Sequence, residues 1–379
     1  MMNSAVGHLV RRGITATFSS SQAMNFENFE NGSPKSPEPE LKFPAWGMVL
    51  LGTTVVVYFF AASMVHQIEY TFGRIIPTLI MIESPAEIAF EPLSTDETDA
   101  SLNKTSQVET VKPRAITSSF KSSIQLLQSK GGFRARFRGI SVYIVNSMVV
   151  QWVSQFLSAI PFMPAPLSIL AAMVLCANLS LCWTLIVISD PSPKTWFRRM
   201  PTLSMWKKVA IPTALLSVSE QVAIFAPLFL ALAMGLDRED PRQMPYYTSK
   251  DTGIMAAKSF AVIALAVVLG VFLVIPANIA LTRVQASLIP EAEETIVPFD
   301  RSFNGKVVPE IVGGTGVIGM MDAWKTFDWA ARIRLVKAYV KVFAMQLALT
   351  LAFFFVLTAQ FFMIVGKDFK KYAPKDGAN

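Results

Sequence analysis

Six stretches of this chain run for 18 residues or more with almost no charge: Trp46–Val65, Ile140–Ile160, Leu167–Ser189, Val209–Gly235, Met255–Ala280 and Val340–Val365. Inside lipid every backbone N–H and C=O must find its partner within the protein, so stretches of this kind fold as spanning helices. The expected fold is therefore an all-α membrane protein. Composition points the same way. Of 379 residues 52% are apolar and 16% charged, with a mean hydropathy of +0.44, whereas soluble domains carry about 25% charged residues. A soluble enzyme and a disordered scaffold fit this poorly. A nucleic-acid partner fits no better, because the basic residues behind the net charge of +7 sit beside the apolar runs. Two cysteines inside one apolar run, Cys176 and Cys182, exclude a disulfide framework, and two histidines, His8 and His66, leave little for imidazole catalysis. No nucleophile–base pair, metal constellation or cofactor site stands out. A seventh apolar segment, Tyr70–Ser84, contains Arg74, Pro77 and Glu83 and reads as a continuation of the first helix or an interfacial segment.

Long or strongly basic connections follow helices one, three and five, at residues 85–138, 190–208 and 281–339, while Pro161–Pro166 and Leu236–Gly253 are shorter. The helices thus come as three pairs, 43–160, 161–240 and 241–367, between an N-terminal segment 1–42 and a basic tail 368–379. Arg134, Arg136, Arg138, Arg198, Arg199, Lys207, Arg332 and Lys337 in the bridging connections place that face in the matrix or cytosol. Lys370 and Lys371 of the tail point the other way. The first 26 residues hold Arg11 and Arg12, many Ser and Thr, and no acid, which suits a mitochondrial transit segment; a solvated tail is the alternative. Residues 91–115 form a polar loop of disordered composition. The sequons at Asn31 and Asn103 would matter only in the secretory pathway.

A short repeat marks the helix ends. Pro85-Ala86-Glu87-Ile88-Ala89-Phe90 matches Pro276-Ala277-Asn278-Ile279-Ala280-Leu281, and Asp190-Pro191-Ser192-Pro193 is a weaker third copy. Prolines at three odd helices predict three kinks that bend them inward. With Thr282-Arg283-Val284-Gln285 following the copy at Pro276, and Arg138-Gly139 leading into helix two, the chain resembles the mitochondrial carrier family over residues 60–370. That resemblance implies a six-helix bundle of three pseudo-repeats, with short amphipathic surface helices at 118–139 and Asp322–Lys337. It also implies a contact with the lipid cardiolipin. The family's closing ion-pair ring would fall on Glu87, Pro193 and Asn278 with Phe90, Trp196 and Leu281, which leaves one charge of six. The run Tyr70–Pro85 is also similar to a fungal group of polytopic membrane proteins, some labelled "ubiquitin carrier". No His-Pro-Asn stretch supports that chemistry in this chain.

Helix two draws a polar row through Tyr143, Ser147, Gln151, Ser154 and Gln155; helix four adds Thr213, Ser217, Glu220 and Gln221; helix six adds Gln346; helix three adds Asn178. Such rows line a shared wet cavity or serve as interhelical hydrogen-bond contacts. Glu220, an ionisable group in mid-span, is the sharpest single residue; Lys258, offset in depth by roughly 10 Å of helical rise, is its best available partner, and a protonated Glu220 bonded to a neighbouring helix is the alternative. Gly314-Thr315-Gly316-Val317-Ile318-Gly319 has the letters of a dinucleotide loop but lies outside any strand–helix unit, so it reads as a hinge. Trp324, Phe327, Trp329 and Ile333 alternate with Lys325, Arg332 and Arg334, chemistry suited to an anionic lipid surface or to packing against the bundle. Two functions remain: a non-cycling adaptor, receptor or insertion factor with a protein partner, or a divergent mitochondrial transporter of a small solute.

Overall fold

The computed structural model describes residues 45–84, 115–238, 247–308 and 310–365. The transit segment, Pro85, Glu87 and Phe90, both sequons, the basic tail and nearly all of the polar loop lie outside the described residues. The chain divides into two units at Thr53/Thr54. Of the first, the described part, residues 45–53, is helical, and the Thr53 hydroxyl donates back to the carbonyl of Val49 at 2.8 Å. Everything below concerns the second unit.

Among the described residues five helices are long and apolar enough to cross a membrane, and two shorter helices meet the same measure taken together as one bent span, six in all. The first span is α1 (Ala45–Ile68), a π-helical turn (Glu69–Ile75) and α2 (Ile76–Ile82). The seventh apolar segment thus continues the first helix. The second span is α4 (Ile140–Ser158), after α3 (Phe120–Gly131). The third is α5 (Ala165–Leu175) and α6 (Ala177–Ile188), bent by 54° at Cys176. The fourth is α7 (Leu203–Ala233); the fifth is α8 (Ser249–Leu269), a π turn (Gly270–Val274) and α9 (Ile275–Ala286). A short α10 (Met320–Lys325) precedes the sixth, α11 (Trp329–Val365). Exposed side chains on the first span include Val56, Phe59 and Phe60, each more than 60% open. A continuous apolar surface of that kind is stable in lipid, not in water.

Of the three prolines expected to kink the odd helices, Pro276 and Pro191 are described, and Pro77 in the first span is placed like Pro276. Proline lacks an N–H, so the ladder ahead of it loses a donor and opens. In the first span the N–H of Ile76, just before Pro77, reaches five residues back to the carbonyl of Thr71; in the fifth, the N–H of Ile275, before Pro276, reaches Gly270. Each proline thus starts a new helix behind a widened turn, and α9 continues past Pro276 to Ala286. Pro191 bends nothing, because α6 has already stopped at Ile188. The bend in the third span falls at Cys176 instead.

The expected surface helices fare unevenly. Helix α3 forms between a Ser119 cap, whose hydroxyl accepts from the N–H of Ser122, and Gly132 at φ 67°. Gly139, at φ 72°, then turns the chain into α4 against the Trp183 ring. Asp322–Lys337 is not one helix. It breaks at Thr326–Asp328, and its second half is the first turns of α11, because Phe327, Ala331, Leu335 and Ala338 pack into the core against Ile76, Ile80 and Ile279.

After α9 the chain forms a strap across the ends of the first and third spans. Leu288, Ile289, Ile296, Val297, Phe299 and Phe303 are buried in the main core with Leu79, Ile82, Leu185 and Ile188. The N–H of Ser84 donates to Pro298 at 2.9 Å, that of Asp190 to Glu294 at 2.8 Å, and that of Ile296 to Ile188 at 2.9 Å. Arg199, with a side chain only 8% exposed, pairs with Glu293 at 2.5 Å.

Candidate functional site

Between the spans lies a cavity of about 720 Å3 to which all six contribute. The first span supplies Glu69, Arg74 and Thr78; the second Tyr143 and Asn146; the third Ser180, Trp183 and Thr184; the fourth Thr213 and Glu220; the fifth Asn278, Thr282 and Gln285; the sixth Tyr339 and Gln346. The π turns deliver several of these. Glu69 and Arg74 are five residues apart, a spacing that an α-helix sends to different faces and a widened turn brings together. Their charged ends stand 3.9 Å apart, with both side chains more than 40% open, and the guanidinium sits 5.4 Å over the Tyr143 ring.

Polar groups toward the strap are tied to one another. Thr184 donates to Gln285 Oε1 at 2.6 Å, and Gln285 Nε2 to Ser180 Oγ at 3.3 Å. Asn278 Nδ2 donates to the Tyr339 hydroxyl at 3.3 Å. Trp183 Nε1 donates to the Tyr70 hydroxyl at 3.1 Å, and that hydroxyl donates to the carbonyl of Arg138 at 2.5 Å. Asn146 Oδ1 is buried with no hydrogen-bond partner.

Of the expected cavity residues, Tyr143, Glu220 and Gln346 line it, joined by Asn278 and Gln285 from the repeat. Ser147, Gln151 and Gln155 do not; all three are exposed on the outside of α4. The reason is helical drift: each i+4 step turns about 40° past a full turn, so a row begun at Tyr143 has swung roughly 120° by Gln155. The inward row is Tyr143, Asn146, Val150, and then Ser154, which meets Ser168 at 3.5 Å. Ser217 is buried with its hydroxyl unpartnered, Asn178 Oδ1 likewise, and Gln221 is half-buried; none lines the cavity. Lys258 is also absent from the lining, and the cation that shares the cavity with Glu220 is Arg74. Glu69 and Asn146 were missed; the five-residue acid–base spacing ahead of Pro77 was the available signal for the first.

Arg283 is 5% exposed and structural in its contacts. It donates to the carbonyl of Met81 and to the Thr326 hydroxyl, both at 3.0 Å, and its guanidinium lies 4.7 Å from the Phe303 ring centroid. At the described ring positions, Pro193 is exposed, Trp196 half-buried and Leu281 buried, with Asn278 bonded to Tyr339. The Gly314–Gly319 segment belongs to no strand. A side chain at Gly314 would collide with the backbone of Val308, so that glycine is a packing position rather than a hinge. The basic residues expected on 322–337 divide: Arg332 donates to the carbonyls of Phe327 and Trp324 and Arg334 stands 3.9 Å from the buried Glu83, while Lys325, Lys337, Trp329 and Ile333 are exposed. A separate hollow of about 510 Å3, beside α3 and the third span, is lined by Arg134, Arg138, Lys194 and Arg199.

These features define an all-helical, multi-pass membrane protein with a cavity of mixed polar and apolar lining among its spans. No protein-family model matches the chain, and no curated protein matches it significantly.

Proposed function

We propose that this is a mitochondrial membrane protein of degenerate carrier build that no longer cycles, acting as an adaptor, receptor or insertion-type factor. The strap carries the reading. Opening the covered end requires the first, third and fifth spans to separate there, which means stripping three backbone hydrogen bonds and the buried Ile296, Val297, Phe299 and Phe303 from their ends. At about 1 kcal/mol per bond and roughly 2 kcal/mol per side chain, that costs on the order of 10 kcal/mol. A state so high is populated about once in ten million molecules. An ion-pair ring, whose charges can rehydrate on opening, would carry no such cost. The three breaks in the odd spans, at Glu69–Ile75, Cys176 and Gly270–Val274, against uninterrupted even spans, support a threefold pseudo-repeat. The hollow lined by Arg134 and Lys194 suits the head group of an anionic lipid such as cardiolipin.

The test is sidedness. In the full chain with Cys176→Ala and Cys182→Ala, a Gln346→Cys thiol in the cavity is treated with impermeant reagent from each side of proteoliposomes. Labelling from one side is expected; labelling from both sides sinks the reading and favours the second one, a divergent solute transporter, which the polar cavity itself supports. Fractionation of the tagged chain with glycosidase treatment tests the mitochondrial placement, and a glycosidase-sensitive signal overturns it.

A further inference from the structure

We propose that the cavity binds a small organic cation, with the Glu220 carboxylate as its counter-ion. The inference rests on the receptor-like reading above and gives it a ligand class. Three charged side chains line the cavity, Glu69, Arg74 and Glu220, for a net charge of minus one. Arg74 is shared: its guanidinium stands 3.9 Å from Glu69 and 5.4 Å from the Tyr143 ring, and among the described residues no ion pair joins it to Glu220, so one cation serves two carboxylates. Glu220 stands 17 residues into the 31-residue α7, roughly 25 Å from its start, near the middle of the span. An uncompensated carboxylate at that depth is costly and needs a counter-charge. The same cavity lining offers what an alkylammonium recognises: Asn146, whose Oδ1 is an unpartnered acceptor, and the Tyr339 ring for the cation and its hydrocarbon. Its volume of about 720 Å3 admits an amine of drug-like size or smaller. An anion would meet two carboxylates and a guanidinium already paired.

Purified full chain in nanodiscs is titrated with phenethylammonium, and with phenylacetate as a control of similar shape and opposite charge, by calorimetry. Saturable binding of the amine and none of the anion is expected. Glu220→Gln should weaken the amine about ten- to hundredfold, the worth of a hydrogen-bonded charge. Glu220→Asp should restore most of that loss, which separates the charge from the shape, and Asn146→Leu should cost a few-fold. Unaltered amine binding in a folded Glu220→Gln variant would mean that Glu220 is not the counter-ion, and the proposal falls. It falls equally if phenylacetate binds as well as the amine, or if neither binds. Because binding is read without transport, a failure here leaves the one-sided labelling of Gln346→Cys, and the reading it tests, standing or falling separately.

Discussion

Replacing Arg283 with methionine tests how the inner ends of the spans are held. The guanidinium makes two hydrogen bonds of 3.0 Å, to the carbonyl of Met81 and the Thr326 hydroxyl, and lies 4.7 and 5.4 Å from the ring centroids of Phe303 and Phe327. Each charge-assisted bond is worth about 1.5–3 kcal/mol and the ring contacts about 1–2 kcal/mol more. Against this, methionine escapes the desolvation of a buried charge, several kcal/mol before compensation. The net expectation for Arg283→Met is a loss of about 2–4 kcal/mol, and for Arg283→Lys, which reaches one partner, about half of that. The chain carries its own reporter: Cys176 and Cys182 are its only thiols and both are buried. In the regime where closing outruns labelling, their reaction with a fluorogenic maleimide follows the population of the open state. A loss of 2–4 kcal/mol should therefore speed labelling roughly thirty- to several-hundredfold. Labelling of the methionine variant within fivefold of the parent would refute the reasoning. So would a lysine variant less protected than the methionine one, since it keeps the charge and one bond.

Three further expectations can be checked with little more. Burial alone would raise the Asp300 carboxyl, but the Ser302 hydroxyl and the amides of Asn304, Ser302 and Phe303 outweigh it and hold it below the usual carboxylate range. Its contribution is therefore present above about pH 4 and is lost as pH falls through the lowered folded value; hydrogen exchange at the Ser302 and Asn304 amides, normalised for intrinsic rates, should lose protection on acidification, and Asp300→Asn should show no such acid step. Gly314→Ala should cost about 1–3 kcal/mol and open the 305–319 segment to protease, because the added carbon meets the Val308 carbonyl; an uncleaved variant would contradict that contact. Gln151→Leu with Gln155→Leu should leave thiol protection unchanged or improved, both positions being exposed on α4, and a loss above about 1 kcal/mol would mean these amides have protein partners.

Where residues carried a constraint of their own, the fold was legible in the sequence. Apolar length placed the spans, and Gly132 and Gly139 at positive φ mark the turns from α3 into α4. The start of α11 was not, because Trp329–Tyr339 mixes Arg332, Arg334 and Lys337 with apolar residues and so looks like a surface helix. Only the core partners Ile76, Ile80 and Ile279 reveal which of its faces is inward. The cavity was half legible. Glu220 and Gln346 announce themselves as polar groups in apolar runs, but the inward row of α4 depends on a rotation that a count in steps of four already gets wrong at Ser147. The π turns were out of reach of any α-helical wheel, and they are what set Glu69 beside Arg74.

The strap also has a place in time. Its bond from Ser84 to Pro298 joins residues 298 − 84 = 214 positions apart, and its partners at Ile188 and Asp190 lie about a hundred residues earlier in the chain than the strap itself. Synthesis runs from the N-terminus and early parts fold first. The first four spans are thus made and inserted while the piece that covers their ends is still unmade. Until the strap is made, Leu185, Ile188 and Ile82 lack the cover that Ile296, Val297 and Phe299 give them in the finished core. In that interval the newborn chain shows an apolar surface that the finished molecule covers.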